Sequence, residues 1–243
     1  MIKSSLGEYT VHFEGNENGY TKRIFLGNTA AGFKVINSNL SRHLCALQSM
    51  CHELNELHED LTYTRTKWMN SEQGAHPYVN AYDRTNPLHI LLRNVYISAL
   101  VSYSKCFTSS DSGRKFRLQD KQIKKHYSKE EFSVHRNILR LRNDWVAHGG
   151  TSENEDAHTL LIQNPHNNQS RLSVSVNIKH LPDSKSLENI RDATFKLLTI
   201  CTNLRNEKFQ ELLKEVNTKS SITNSALQYE LRVNASNETV AEQ

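Results

Sequence analysis

The sequence predicts a mainly α protein: an antiparallel helical bundle with a small N-terminal β-hairpin and a second β-hairpin inserted after the helix that starts near Ser128. Three observations lead there. Four stretches carry apolar residues three and four positions apart, the spacing that lines one face of a helix. Two others alternate apolar and polar residues around turn-forming clusters, as paired strands do. Hydrophobic residues make up 37% of the 243, low for a globular chain, while charged residues at 23% are ordinary, which leaves polar segments outside the core. The expected organisation is an extended arm or β-hairpin over 1–37, a helical domain over 38–217 with its hairpin insertion at about 157–179, and a polar C-terminal tail over 218–243.

From Glu8 to Val35 the chain reads as extended. Tyr9 to Phe13 and Thr21 to Leu26 flank a Gly15–Gly19 turn cluster, which makes a hairpin. Leu40, Leu44, Leu47, Met50, Cys51, Leu54 and Leu57 then mark a helix from Asn39 to about Asp60, with Thr62 to Met69 as its extension. His43, Cys45, Cys51, His52 and His58 raise a metal hypothesis, but their projections diverge, so solvated histidines and core thiols are expected and no metal. After a polar connector, Pro87 suits the first turn of a helix that runs from Leu88 to Phe107 and is broken at Ser109–Gly113.

The strongest charge cluster follows. Arg114, Lys115, Arg117, Lys121, Lys124, Lys125 and Lys129 face a single acid, Asp120. With a formal net charge of only +4, the chain is not generally cationic, so any polyanion would be met by this local face. The bland reading is a solvated basic linker.

The cluster leads into SKEEFSVHRNILRLRNDWVAHGG, Ser128 to Gly150. Ser128 and Glu131 form a capping-box signature at its start, and Gly149 and Gly150 supply a stop. At 100° per residue, Phe132, Val134, Ile138, Leu139, Leu141, Trp145 and Val146 fall on one apolar stripe, opposite Ser133, Arg136, Asn137, Arg140 and Asp144. Arg142 falls inside that stripe, near the line of Glu131 and His135, where a guanidinium must snorkel, pair or face a polar cleft. His148 follows about 9 Å further along the axis, at the negative end of the helix dipole. The spacing alone allows two readings: a carboxylate partner for Arg142 with His148 as a helix cap, or an active site.

The run Arg142-Asn143-Asp144-Trp145-Val146-Ala147-His148 resembles the Arg-x(4–6)-His signature of the HEPN superfamily, including a polar residue directly after the arginine. The resemblance implies that the motif sits on a late helix of a HEPN-like bundle spanning the helical domain. It implies a metal-independent endoribonuclease with Arg142, Asn143 and His148 as catalytic residues, and a homodimer in which two copies of the motif share a composite site. It also implies a setting in toxin–antitoxin or antiphage defence, with an antitoxin or other protein partner. The alternative is a catalytically inactive HEPN-like module that binds RNA or protein.

The chemistry suits those residue types. RNA carries its own nucleophile, the 2′-hydroxyl, so cleavage needs positioning, proton transfer and charge stabilisation, with neither metal nor cofactor. Arg142 would hold the phosphate and its transition state. His148 would move a proton to or from the ribose oxygens, and Asn143 would orient the phosphate or the imidazole. Arg114, Lys115, Arg117, Lys121, Lys124 and Lys125 would bind flanking RNA phosphates. No phosphate-cradling glycine loop, zincin or serine-hydrolase motif is present.

Past Gly150, Thr159 to Ile162 and the alternation Leu172, Val174, Val176, Ile178 predict two paired strands around a turn at Asn164–Asn168. Ser184 or Ser186 is expected to cap a helix reaching Asn217, which should pack on the motif helix. The tail beyond Thr218 is expected to be loosely ordered, with Leu227, Tyr229, Leu231 and Val233 as a short patch for a partner. The N-terminus lacks the apolar core of a secretory signal, and the apolar run from His89 to Val101 is broken by Arg93 and Asn94, so no membrane association is expected. Four cysteines without C-x-x-C spacing point to reduced thiols and a cytoplasmic location.

Overall fold

The computed structural model describes residues 2–6, 9–16, 19–71, 82–108, 116–147, 155–156, 159–163, 170–174, 178–179, 181–219, 231–234 and 239–240. In chain order the elements are β1 (Ile2–Leu6), β2 (Tyr9–Asn16), β3 (Gly19–Leu26), β4 (Thr29–Ala30), α1 (Asn39–Met69), α2 (Pro87–Lys105), α3 (Asp120–Lys124) and α4 (Lys129–Leu141). A π-helical segment (Arg142–Ala147) continues α4, followed by β5 (Glu155–Asp156), β6 (Thr159–Gln163), β7 (Ser170–Val174), β8 (Ile178–Lys179), α5 (Ser184–Lys219), β9 (Leu231–Asn234) and β10 (Thr239–Val240). The protein is mainly helical, and the chain divides into two units, one of residues 1–41 with 211–243 and one of residues 42–210.

In the larger unit the periodicity read from the sequence becomes a single core. α1 contributes Leu47, Met50, Leu54, Leu57 and Leu61, α2 contributes Leu92, Tyr96, Leu100 and Tyr103, and α5 contributes Leu187, Ile190, Leu197 and Ile200. Ile138 and Leu141 of α4, with Leu118 and Ile123 from α3 and its approach, complete it. Contacts between α1 and α5 pair Arg65 with Glu188, Cys51 with Thr202 and Gln48 with Arg205. As the number falls on α1 it rises on α5, so these helices are antiparallel.

Caps agree with local chemistry. Pro87 opens α2, and the Asn86 side chain accepts from the Leu88 N–H. Ser128 and Glu131 exchange both bonds of a capping box at the start of α4. At α5 the expectation of Ser184 or Ser186 gives way: Asp183 is the cap, its carboxylate accepting from the Ser186 N–H at 2.6 Å. A carboxylate also complements the positive helix end, which a hydroxyl does less well. β6 and β7 pair as the inserted hairpin, with Leu161 opposite Leu172, and β5 with β8 form a second short pair.

The smaller unit holds an antiparallel sheet in the order β1-β2-β3-β9-β10, with β4 also on β3. The β2–β3 hairpin turns between Asn16 and Gly19, within the turn cluster read from the sequence. Two features differ from expectation. β1 adds a strand before the hairpin. The tail does not stay apart: Leu231 and Val233 lie in β9, which pairs with Lys22 and Tyr20 of β3. A short alternating patch pairs on one side with β10 and on the other finds its partner at the far end of the sequence. Leu227 and Tyr229 lie outside the described residues.

Candidate functional site

Straight α-helical geometry ends at Arg142. The Arg142 N–H is shared between the carbonyls of Ile138 and Leu139, and the six residues Arg142–Ala147 wind as a π-helix. A π turn is a rare way to continue a helix and is frequent at functional sites. It also shifts later side chains relative to a straight α-helical projection, yet the expected sides of Val146 and Asp144 are kept. Val146 still packs against the core, while Asn143 and Asp144 are exposed.

Arg142 itself is half-buried, and its Nη1 donates to Asn143 Oδ1 at 2.9 Å. Among the described residues no carboxylate pairs with it. The two nearest arginines on α4 behave otherwise: Arg136 Nη1 is 3.0 Å from Asp120 Oδ2, and Arg140 lies 3.9 Å from Asp144. Arg142 and Asn143, predicted as neighbours in the site, are therefore joined by a hydrogen bond. His148 lies outside the described residues, as do Arg114 and Lys115.

Arg117, Lys121, Lys124 and Lys125 are exposed on and beside α3. α3 meets the first turns of α4: Lys124 Nζ rides over the Phe132 ring at 5.8 Å, and Asp120 touches His135 and Arg136. Arg136 precedes Arg142 by six residues, about 9 Å along a helix axis. The basic group thus lies on the approach to Arg142 and not upon it.

The residue that sequence reasoning passed over is His135. It is fully buried, at 0% exposure, in a box of four rings, Tyr103 and Phe107 from the α2 end, Tyr127, and Phe132. Nδ1 lies 3.0 Å from the Tyr103 hydroxyl, which lies 3.3 Å from that of Tyr127. Among the described residues Nε2 has no hydrogen-bond partner, and it faces Asp120 Oδ1 at 3.6 Å. Burial pushes the imidazole pKa below its ordinary value, and the Asp120 carboxylate only partly offsets this. Burial also raises both phenols, Tyr127 to about 12. The available signal was a histidine on the apolar side of an amphipathic helix, with Phe132 three residues before it.

The histidines and cysteine of α1 take separate partners: His43 stacks on Phe116, His52 faces Glu56, His58 stacks on Phe195, and Cys51 is buried beside Thr202. Among the described residues no group of three or more His, Cys, Asp or Glu side chains is arranged to hold a metal ion, and no helix is long and apolar enough to cross a membrane. No family model, curated protein or solved structure matches the chain.

Proposed function

We propose that this chain is a HEPN-type, metal-independent endoribonuclease that cleaves single-stranded RNA by attack of the 2′-hydroxyl on the adjacent phosphorus, leaving 2′,3′-cyclic phosphate and 5′-hydroxyl ends. The observation that carries this reading is Arg142: a half-buried guanidinium at the start of a π turn, bonded to Asn143 and without a carboxylate among the described residues. Arg136, by contrast, is neutralised by Asp120. One bonded to an uncharged amide keeps N–H donors for a phosphate.

In the proposed reaction Arg142 binds the scissile phosphate and stabilises the charge that grows on its oxygens. Asn143 holds the guanidinium in place and orients the phosphate. His148 takes the 2′-hydroxyl proton or delivers one to the leaving 5′-oxygen. Arg117, Lys121, Lys124 and Lys125, with Arg114 and Lys115, hold flanking phosphates, so binding weakens steeply with salt. Two copies of the chain supply the motif twice to one cleft, and the proposed setting is a cytoplasmic toxin or antiphage effector restrained by a partner protein.

The test is incubation of the purified chain with labelled single-stranded RNA in EDTA, beside Arg142→Ala and His148→Ala variants. Cleavage that survives chelation and falls at least about a hundredfold in each variant is expected, the scale of losing a group that stabilises transition-state charge. Binding without cleavage in the unaltered chain overturns the nuclease and leaves an RNA-binding module, a reading favoured by the exposed lysines of α3.

A further inference from the structure

A fully buried imidazole with one nitrogen satisfied and the other facing a carboxylate just beyond hydrogen-bond range is an unfinished arrangement. In the neutral ring the carboxylate opposite Nε2 selects the tautomer with its proton there, because a lone pair facing Asp120 would be repelled. Nδ1 is then an acceptor, Tyr103 donates to it, and Tyr127 donates to Tyr103. Asp120 meanwhile is held from the solvent side by Arg136 at 3.0 Å.

Proton uptake from solvent at Nδ1 reverses the chain. Nδ1–H becomes a donor to the Tyr103 oxygen, the Tyr103 proton turns to the Tyr127 oxygen, and the Tyr127 proton turns outward. The ring now carries a charge that burial makes costly, and Asp120 is the carboxylate beside it. Closing the gap between Nε2 and Oδ1 moves Asp120, the first residue of α3, toward α4. Arg136, exposed on α4, is the competitor for the same carboxylate. The other titratable or charged groups around the ring are Tyr103 from α2 and Tyr127 and Lys124 from α3 and the turn after it. Cys106 and Cys201 lie behind the phenols, and Glu131 is near Tyr127. None of these others is a carboxylate placed against Nε2.

We propose that His135 is a positioning residue: its protonation draws Asp120, and with it the basic helix α3, onto the first turns of α4. The consequence for RNA rests on the function proposed above. Lys121, Lys124 and Lys125 travel with α3, so a protonated His135 fixes them beside the approach to Arg142 and tightens RNA binding. Because burial depresses the imidazole pKa, the change falls below the range of a free histidine.

The experiment follows the full-length chain by NMR, reading the His135 ring nitrogens and the backbone amides of Asp120–Lys124 between about pH 5 and pH 8. It is repeated on Asp120→Asn and on His135→Gln, which cannot titrate. The expected result is one titration shared by the ring and the α3 amides, lost from the amides in Asp120→Asn. In parallel, the affinity for labelled single-stranded RNA in EDTA should rise about fivefold on going to about pH 5.5, and this rise should shrink in both variants. Amides that do not follow the ring, or that follow it equally in Asp120→Asn, overturn the proposal. Coupled amides with no RNA binding at any pH leave the positioning role standing and remove the nuclease reading instead. Should His135→Gln fail to fold, Asp120→Asn decides, since its side chain is 42% exposed and its loss leaves the core intact.

Discussion

The first turns of α4 and the π turn that continues it are built on opposite terms. The first turns are closed on every side: Ser128 and Glu131 satisfy each other's backbone, His135 is enclosed by four rings, and Arg136 is paired with Asp120. Past Leu141 the backbone leaves α geometry, Asn143 and Asp144 are exposed, and among the described residues the Arg142 side chain bonds only to its own neighbour. One helix thus divides its labour, with rigidity at one end and accessible donors at the other. A reactive group must be held firmly yet left uncommitted, and a rigid first half makes the uncommitted second half usable.

The contrast can be broken by mutation, and the largest effect should come from the closed end. His135→Ala leaves a hole among four rings and strips the Tyr103 hydroxyl of one of its two partners, so a loss of about 3 kcal/mol in stability is expected in denaturant unfolding. A loss below about 1 kcal/mol would mean that the box collapses freely around the gap. Removing a cap is milder. Ser128→Ala and Asp183→Ala should each cost about 1 kcal/mol by the same measurement, and a smaller cost for Ser128 would make Glu131 the dominant cap.

Acidity should separate the halves next. The His135 pKa is lower in the folded chain than in the unfolded one, so between the two values the unfolded chain holds more protons. Stability is therefore full above the ordinary histidine range and declines as pH falls through it toward the lowered folded value. Thermal melting against pH should show this decline, and His135→Gln should lack that component. The smallest effect is expected at the open end. Arg142→Ala should change stability by no more than about 0.5 kcal/mol while lowering the proposed RNA cleavage at least about a hundredfold. A large destabilisation would instead mark the guanidinium as a structural pin.

Most of the helical frame is legible in the residues because each local choice agrees with the packing. Pro87 opens α2, the apolar series from Leu47 to Leu61 lines the core, and the capping box starts α4 where Ser128 and Glu131 place it. What escapes the sequence depends on partners far along the chain. The box around His135 gathers rings from positions 103, 107, 127 and 132, and only folding brings them together. The switch to π geometry at Arg142 changes a hydrogen-bond ladder while leaving the residue pattern untouched, so a fixed 100° projection carries on past it. At α5 three polar residues, Asp183, Ser184 and Ser186, compete as caps, and the carboxylate prevails. Around the candidate site, neither the bond between Arg142 and Asn143 nor the place of Asp120 at the α3–α4 contact follows from residue spacing.

The sheet of the smaller unit carries a practical consequence. β9 occupies the side of β3 from Gly19 to Lys22, while β4 takes only Phe25 and Leu26 on that same side. A chain cut after Lys219 would bare those four residues' main-chain groups as an adhesive border, ready to capture any extended peptide or a second molecule. Truncated forms should therefore clump or exchange strands.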